Sequence, residues 1–392
     1  MTHWFIPVPF LLLLFILPFP GTVALRLLCL AAAFIVAVGF WRRLNPPSFP
    51  GKGVFAFWIA IALSSLVFAV DPVYSLGEIK NEIGYSMMAL FAFFAISRGE
   101  RIVKQGAWAV VISLAVIAVW SLWLRARTGY WQEDAGHGGS GNYAGLVLMV
   151  APALFLLWQW QPRTRWLVIL IALIAVMAGA YSRQRVLWPA LGIEIGALVL
   201  LLRCKNGMAV SGPRAAALLA VTTAFLLMLL LAAQGARVVS HGAAAEVDND
   251  LRLRYWPVII ARIVDQPITG AGFGRNAMKL GHPDLVPPNA PIFWHAHNLF
   301  LNYGLALGVP GIIALALLFA GLAFFYWRMF RSPDMTLAAL GIAGLMLLAG
   351  VMLRNFTDDQ FQRDVALLFW SMNGLLLGYG LRLQRTNGRS TG

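Results

Sequence analysis

The sequence predicts an all-α polytopic membrane protein, and three observations carry this prediction. First, 60% of the 392 residues are apolar and only 12% are charged, whereas a soluble domain has about 25% charged residues. Second, the apolar residues form continuous runs, and a run of about 17–20 can cross the hydrocarbon core as a helix. Strands of a membrane barrel would instead alternate over about ten residues. Third, Lys and Arg are distributed unequally between alternate loops.

The apolar runs predict about twelve transmembrane helices and one large external loop. The predicted spans are 4–19, 21–40, 53–70, 82–97, 106–124, 142–160, 166–181, 186–202, 215–234, 301–327, 334–353 and 364–381. They divide the chain into three parts. Residues 1–234 hold the first nine spans, 235–300 form the large loop with a partly helical segment, and 301–392 hold the last three spans and the tail.

The basic residues predict the orientation of these spans. One set of alternate loops holds 16 of the 30 Lys and Arg residues but only two acids, Glu100 and Asp334. This side therefore carries the whole formal excess of +14. Because cytoplasmic loops are enriched in Lys and Arg, we expect these loops and both termini to be cytoplasmic. The high positive charge is then a topological signal, and no nucleic-acid partner is needed to explain it.

The large loop contains a predicted amphipathic helix over about 250–264. Trp256, Ile259, Ile260 and Ile263 recur at helical spacing, which indicates one apolar face. Asp248 or Asn249 would cap the helix, and its polar side offers Arg252 and Arg254. Such a helix is expected to lie on the membrane face or over a cavity.

A glycine-rich segment follows, Pro267-Ile-Thr-Gly270-Ala-Gly272-Phe-Gly274-Arg275. Two interpretations are open: a plain turn, or a turn whose exposed amides hold an anion. The spacing differs from the dinucleotide-binding fingerprint, which also requires a preceding strand.

The end of the loop carries the sequence Trp294-His295-Ala296-His297-Asn298, followed by a helix in which Gly308-Val-Pro310-Gly311 predicts a bend. The histidines have three interpretations: a metal pair, a structural histidine or a general base. A metal needs further ligands, and Asp284 and His282 are only loosely placed to supply them, so no metal is predicted. Neutral imidazole can take a proton from a hydroxyl near neutral pH, which favours the general base.

A second basic feature, Ser182-Arg183-Gln184-Arg185, lies between the seventh and eighth spans. Arginines at a membrane surface are costly unless they are paired or meet anions. Glu194, deeper in the eighth span, is a candidate partner in a structural ion pair. Alternatively, the guanidinium forks bind phosphate oxygens in a bidentate manner.

These motifs together resemble those of a known family. His297-Asn298, nine residues, Gly308, two residues and Gly311 resemble the histidine motif of the bacterial O-antigen ligases and the related O-antigen polymerases. Arg185 before Trp188, with Arg183 beside it, is similar to the first arginine motif of that family. Arg252 four residues before Trp256, followed by Pro267 and the glycine turn, looks like its large periplasmic loop.

The resemblance implies a membrane glycosyltransferase without a cofactor. The donor would be a glycan on undecaprenyl pyrophosphate, and the acceptor a sugar hydroxyl of lipid A–core, at the periplasmic face of the bacterial inner membrane. His297 would be the general base, and the catalytic arginines would be Arg185 and Arg252. Substrate binding would involve Arg183, Arg254, Asn298 and His295. Within each arginine pair, either residue fits the motif.

Three other functions compete with this interpretation. An O-antigen polymerase uses a second lipid-linked glycan as acceptor, and a protein O-oligosaccharyltransferase uses Ser or Thr. Both share the donor chemistry, so the residues do not separate them. A transporter of lipid-linked glycan belongs to a different class and predicts charges along several spans. Glu194 is the only clear intramembrane charge in the sequence, which disfavours transport.

Overall fold

The computed structural model describes residues 7–131, 139–182, 184–205, 251–286 and 294–389, and the regular structure within these ranges is helical. The main helices are α1 Val8–Ile16, α2 Val23–Gly39, α3 Lys52–Ser64, α4 Pro72–Glu78, α5 Tyr85–Ile96, α6 Glu100–Thr128, α7 Ser140–Trp160, α8 Arg165–Ser182, α9 Leu187–Arg203, α10 Leu251–Asp265, α11 Leu299–Phe330, α12 Met335–Asn355 and α13 Arg363–Arg389. The predicted all-α class is confirmed for these ranges. The ninth predicted span, 215–234, lies outside the described residues.

Some of these helices are long and apolar enough to cross a membrane. In the described ranges there are six: Glu100–Thr128, Gly141–Trp160, Pro162–Ser182, Leu299–Phe330, Met335–Asn355 and Arg363–Asn387. Shorter apolar helices, Val23–Gly39 and Lys52–Val67, fall on the second and third predicted spans. The total of twelve spans and the external position of the large loop therefore remain predictions.

The fourth predicted span differs from a simple helix. It was expected at 82–97, but the regular helix α5 begins at Tyr85 and is preceded by π-helical turns over Ile79–Gly84. These turns continue α4, whose first turn is capped by the Asp71 carboxylate accepting from the Tyr74 amide at 2.9 Å. A π-helical insertion shifts the register of a helix and is frequent near functional sites.

Helix α11 bends where the sequence predicts. Gly308 adopts φ 70° and ψ −169° inside the helix, and Pro310 follows it. The glycine-rich segment supplies the hydrogen bonds that the broken helix lacks. The Val309 amide donates to the Pro267 carbonyl at 2.7 Å, and the Ala271 amide donates to the Leu305 carbonyl at 2.9 Å. The segment before the site is therefore fixed to α11 through its backbone.

Glycine is required on both sides of this contact. A Cβ atom at Gly270 would lie 2.2 Å from the carbonyl of Ala306, and one at Gly308 would lie 2.7 Å from the carbonyl of Pro267. Backbone atoms cannot move aside as side chains do, so a larger residue would separate the segment from the helix.

The amphipathic helix is confirmed as α10, Leu251–Asp265. Its inner face packs on protein: Ile259 and Ile263 are buried in a small core with Met278, Leu285, Ala296 and Leu305. Ile260, expected on the same face, is 48% exposed, because it lies at the edge of the stripe. Both candidate caps, Asp248 and Asn249, lie outside the described residues.

We predict that Gly270→Ala lowers the free energy of unfolding by about 1–3 kcal/mol, because overpacking against backbone costs that much. Denaturant unfolding in detergent measures it. Gly196→Ala in α9 is the matched control, since a Cβ atom there meets nothing within 4 Å. Equal stability of the two variants would contradict the close contact.

Candidate active site

The loop 356–362 between α12 and α13 is held by side chains from distant parts of the chain. Asn298 donates from Nδ2 to the Phe356 carbonyl at 2.9 Å, and Arg252 donates from Nη1 to the Thr357 carbonyl at 2.9 Å. The Gln360 amide donates to the Asn355 side chain at 2.9 Å. The start of α10, the start of α11 and the end of α12 therefore meet at this loop.

The His297-Asn298 pair occupies the start of α11. The side-chain Oδ1 of Asn298 accepts from the amides of Phe300 and Leu301 at 2.9 and 3.1 Å, which caps the helix. His297 has a φ of 48°, in the left-handed region, and its side chain is buried. Asparagine therefore has a structural reason to follow the histidine: it begins the helix and anchors the loop 356–362.

His297 faces an ionised carboxylate. Its Nδ1 lies 3.3 Å from Oδ1 of Asp358, and Arg354 donates from Nη2 to Oδ2 of the same carboxylate at 2.8 Å. Burial alone would raise the pKa of Asp358, but the hydrogen bond to His297 and the charge of Arg354 outweigh it and hold that pKa well below its usual value. An anion at this position favours a proton on Nδ1 and leaves the lone pair on Nε2.

His295 has a different environment. It is 3% exposed, its Nδ1 accepts from the His297 amide at 3.1 Å, and its Nε2 lies 3.0 Å from Nη2 of Arg275. Burial, and next the charge of Arg275, lower the pKa of His295 to about 2. A group with so low a pKa is a weak base. The geometry therefore favours His297 over His295 for accepting a proton.

Arg275, which ends the glycine-rich segment, is a site residue to which the sequence analysis gave no role. Its Nη2 lies 4.0 Å from Oδ1 of Asp358, and its Nε lies 3.8 Å from Oδ2 of Asp359. Its guanidinium group lies over the Trp294 ring at 4.8 Å. Arg275 thus connects the histidine segment to both carboxylates.

The two carboxylates have opposite properties. The pKa of Asp359 is raised to about 6, mainly by burial. The charge of Asp358 adds to this rise, and the charge of Arg275 partly offsets it. A pair of acids whose pKa values are pushed apart is typical of functional sites. Neither acid nor Arg354 was predicted, although the adjacent pair Asp358-Asp359 in a short loop is a signal that could have been used.

The structure separates the two arginines of the α10 pair. Arg252 is partly buried, contacts the loop 356–362 and contributes to lowering the pKa of His295. Arg254 is exposed. Both residues fit the family motif, and of the two it is Arg252 that contacts the loop 356–362.

The other arginine cluster lies in the turn between α8 and α9. Arg185 is exposed there, and Arg183 lies outside the described residues. Helix α9 packs against α12, the helix that carries Arg354 near its end. The convergence of Arg183 or Arg185 with His297 stays a prediction.

Glu194 does not form a structural ion pair with Arg185, and Arg183, the other arginine of the cluster, lies outside the described residues. Glu194 is fully buried, and both of its carboxylate oxygens have no hydrogen-bond partner in the described part of the chain. Glu194 lies nine residues after Arg185, and at about 1.5 Å of rise per residue such a separation along α9 exceeds the reach of an arginine side chain.

The glycine-rich segment is a structural turn. The amides of Ala271 and Gly272 donate to carbonyls of α11, and the Phe273 amide donates to Oγ of Ser65 at 3.2 Å. Three successive amides are therefore occupied by the protein, which excludes them as an anion cradle. The occupied amides favour the plain-turn interpretation.

One group of metal-type ligands exists in the described ranges. It consists of His295, His297 and Asp358, whose ligand atoms lie within 4.8 Å of one another. The expected helpers, Asp284 and His282, do not belong to it; Asp284 instead pairs with Arg262 at 2.5 Å. Arg275 and Arg354 face the same imidazole and carboxylate atoms. Two fixed cations at these atoms oppose a divalent ion and supply positive charge themselves.

The described geometry places a carboxylate-supported histidine and several arginines beside a broken membrane helix. Residues 178–316 match the O-antigen ligase family model. The match supports assignment of the chain to that family, and the resemblance predicted from the motifs is confirmed. It covers about a third of the chain, including Arg185, Arg252 and His297, and ends before Asp358. A search of curated proteins gave no match.

The family assignment supports a coarse function. The matched part of the chain is similar to the O-antigen ligase family, a membrane glycosyltransferase-like family involved in glycan ligation, which is consistent with an enzyme of that kind. Its apolar helices agree with a membrane protein.

We predict that Asp359 makes stability fall as the pH rises from about 4 to about 6. The unfolded carboxyl ionises near 3.8, whereas the folded one stays protonated until about 6. Between pH 4 and 6 the folded protein therefore holds a proton on Asp359 that the unfolded chain has lost. Above pH 6 the folded carboxyl is also ionised, and the free energy of unfolding is lower by about 1–3 kcal/mol.

Asp359→Asn should reduce this slope, measured as the unfolding free energy of wild type and variant at several pH values. Asp265→Asn, at an exposed position at the end of α10, should keep the wild-type slope. Parallel pH profiles for wild type and Asp359→Asn would contradict the burial argument.

Proposed function

We propose that this protein transfers O-antigen glycan from undecaprenyl pyrophosphate to a sugar hydroxyl of lipid A–core, at the periplasmic face of the bacterial inner membrane. The observation that supports the proposal best is the buried chain of contacts Arg354–Asp358–His297, next to Arg252. A histidine oriented by a carboxylate is the arrangement that removes a proton from a hydroxyl nucleophile.

His297 acts as the general base. The acceptor hydroxyl oxygen attacks the anomeric carbon of the donor sugar, and its proton passes to Nε2 of His297. The bond between that carbon and the pyrophosphate oxygen breaks, and undecaprenyl pyrophosphate leaves with the electron pair. Asp358 stabilises the imidazolium that forms, and a single displacement inverts the anomeric configuration.

Arginines take the role that a metal ion has in many phosphate-transferring enzymes. Arg252 and Arg185 bind the pyrophosphate and offset the charge that develops as it leaves. Arg183 and Arg254 are the alternatives at these two positions. Asn298 and His295 position the site, Asn298 through the helix cap and His295 through the His297 amide. No metal or other cofactor takes part in this mechanism.

The decisive experiment compares acceptors. Purified protein in lipid nanodiscs is given the lipid-linked glycan donor with lipid A–core, with a second lipid-linked glycan, or with a Ser- and Thr-containing peptide. Transfer to lipid A–core supports the ligase. Preferred transfer to the lipid-linked glycan or to the peptide would instead indicate the polymerase or the protein O-oligosaccharyltransferase, and donor movement without transfer would indicate a transporter.

We predict that His297→Gln lowers the rate of transfer by about 10²–10⁴, the usual contribution of a general base. The variant should keep its thermal stability, because the glutamine amide can still donate a hydrogen bond to the buried Asp358 carboxylate and the Asn298 cap is unchanged. His282→Gln is the matched control, since His282 is another buried histidine that lies outside the His295, His297 and Asp358 group. Wild-type rates in His297→Gln would refute the base assignment.

We also predict that Arg252→Lys lowers transfer about tenfold or more, because lysine keeps the charge but loses the bidentate fork. Arg254→Lys, at the exposed position of the same helix, should have a smaller effect. The measurement is kcat/KM for the donor in both variants. A larger loss in Arg254→Lys would reverse the assignment within the pair.

A further inference from the structure

A polar cavity of about 410 Å³ lies beside the histidine segment. Its lining includes Tyr74 from α4, Asn276 after the glycine-rich segment, Trp294 before the histidines, and Gln360 and Gln362 from the loop between α12 and α13. The volume falls within the range of about 300–1,000 Å³ that is common for small-ligand sites. Five separate segments contribute, because Asn142 of α7 also lines the cavity, and the lining is mostly polar.

Three amide side chains of this cavity make no hydrogen bond within the described part of the protein. The side chains of Asn276, Gln360 and Gln362 have no hydrogen-bond partner among the described residues. The side-chain oxygen Oε1 of Gln360 is also buried. An unpaired buried amide costs free energy unless a ligand or water satisfies it. Each amide offers both donors and an acceptor, which is the combination that a sugar hydroxyl requires.

Tyr74 adds a donor to the same surface. Its hydroxyl oxygen accepts from the Asn276 amide at 3.1 Å, so its own proton points elsewhere. Burial raises the pKa of Tyr74 to about 12, which keeps this proton in place at neutral pH. The Trp294 indole adds an aromatic surface to the lining, and a sugar ring presents both hydroxyls and an apolar C–H face.

The charges around the cavity are balanced. Arg275 and Arg363 line it together with Glu78 and Asp364, so the formal charge of the lining is zero. A phosphate site would carry a net positive charge, because each phosphate oxygen needs a cation or an amide donor. Balanced charges and neutral amides favour an uncharged polyhydroxylated ligand over the pyrophosphate.

Arg275 connects this cavity to the catalytic cluster. It lines the cavity, lies 3.0 Å from His295 and covers the Trp294 ring. His295 in turn accepts from the His297 amide. The cavity is therefore linked to the base through Arg275 and His295, which places a bound sugar on the same side of the histidine segment as the catalytic cluster.

We infer that this cavity is a sugar-binding subsite, in which Asn276, Gln360, Gln362 and Tyr74 hold the hydroxyls of one sugar residue against the indole of Trp294. The inference rests on the proposed function and deepens it. The sugar belongs either to the acceptor or to the donor glycan. Both have the same chemistry, and the experiment below distinguishes them.

The test uses Asn276→Ala, Gln362→Ala and the double variant in nanodiscs. Loss of one neutral hydrogen bond to a substrate changes binding about three- to tenfold. We therefore expect each single variant to raise by that factor the KM of the substrate, donor or acceptor, that carries the bound sugar. The double variant should raise this KM further, with kcat within about twofold of wild type. KM for donor and acceptor are measured separately, and the soluble core oligosaccharide serves as a competing probe.

Asn387→Ala is the matched control. Asn387 lies near the opposite end of α13 from the cavity, where it donates to Asp334 at 3.0 Å, and its variant should keep both KM values. Thermal unfolding of every variant confirms that the folds are intact.

The outcomes separate this inference from the function on which it rests. A raised acceptor KM, with a weaker competing effect of the core oligosaccharide, assigns the cavity to the acceptor. A raised donor KM alone assigns it to the donor glycan. Unchanged KM values for both substrates in the double variant, while wild type transfers normally, would overturn the sugar subsite. Absence of transfer by wild type to any acceptor would overturn the proposed function instead.

Discussion

The site depends on one buried anion, the carboxylate of Asp358. It is largely removed from water and yet stays ionised, because His297 hydrogen-bonds to one oxygen and Arg354 to the other. Removing either partner would leave a buried charge without compensation. The neighbouring side chains keep these groups in place. Asn298 and Arg252 hydrogen-bond to the loop that carries the carboxylate, and the Asn298 cap fixes the backbone next to His297.

Charge is distributed around this anion in layers. The imidazole and Arg354 neutralise Asp358 directly, Arg275 lies slightly farther away and is shared with Asp359, and Arg252 reaches the loop from the other side. Such a site has positive charge available for an anionic leaving group without a metal ion. The neighbouring cavity, in contrast, has balanced charge and amide side chains, so the two halves of the site favour ligands of different chemistry.

Local sequence patterns predicted much of this arrangement and could not predict the rest. The helical class, α10, the bend at Gly308 and the histidine motif all follow from spacing within short segments. Asp358 and Arg354 were missed because their importance arises only when the chain folds them against His297, about sixty residues earlier. Glu194 shows the opposite error: the sequence suggested a partner nearby, but the helix carries the carboxylate away from Arg185. Arg252 and Arg254 fit the motif equally, and only their different burial in the folded chain distinguishes them.

The break in α11 has a consequence for engineering. Since Pro267, Ala271 and Gly272 are hydrogen-bonded to the backbone on both sides of Gly308, the glycine-rich segment and the first turns of α11 form one inseparable module. A chimaera that exchanges this segment between homologous enzymes would succeed only if its crossover point fell beyond residue 311. A junction placed at the apparent start of the helix would split a shared hydrogen-bond network.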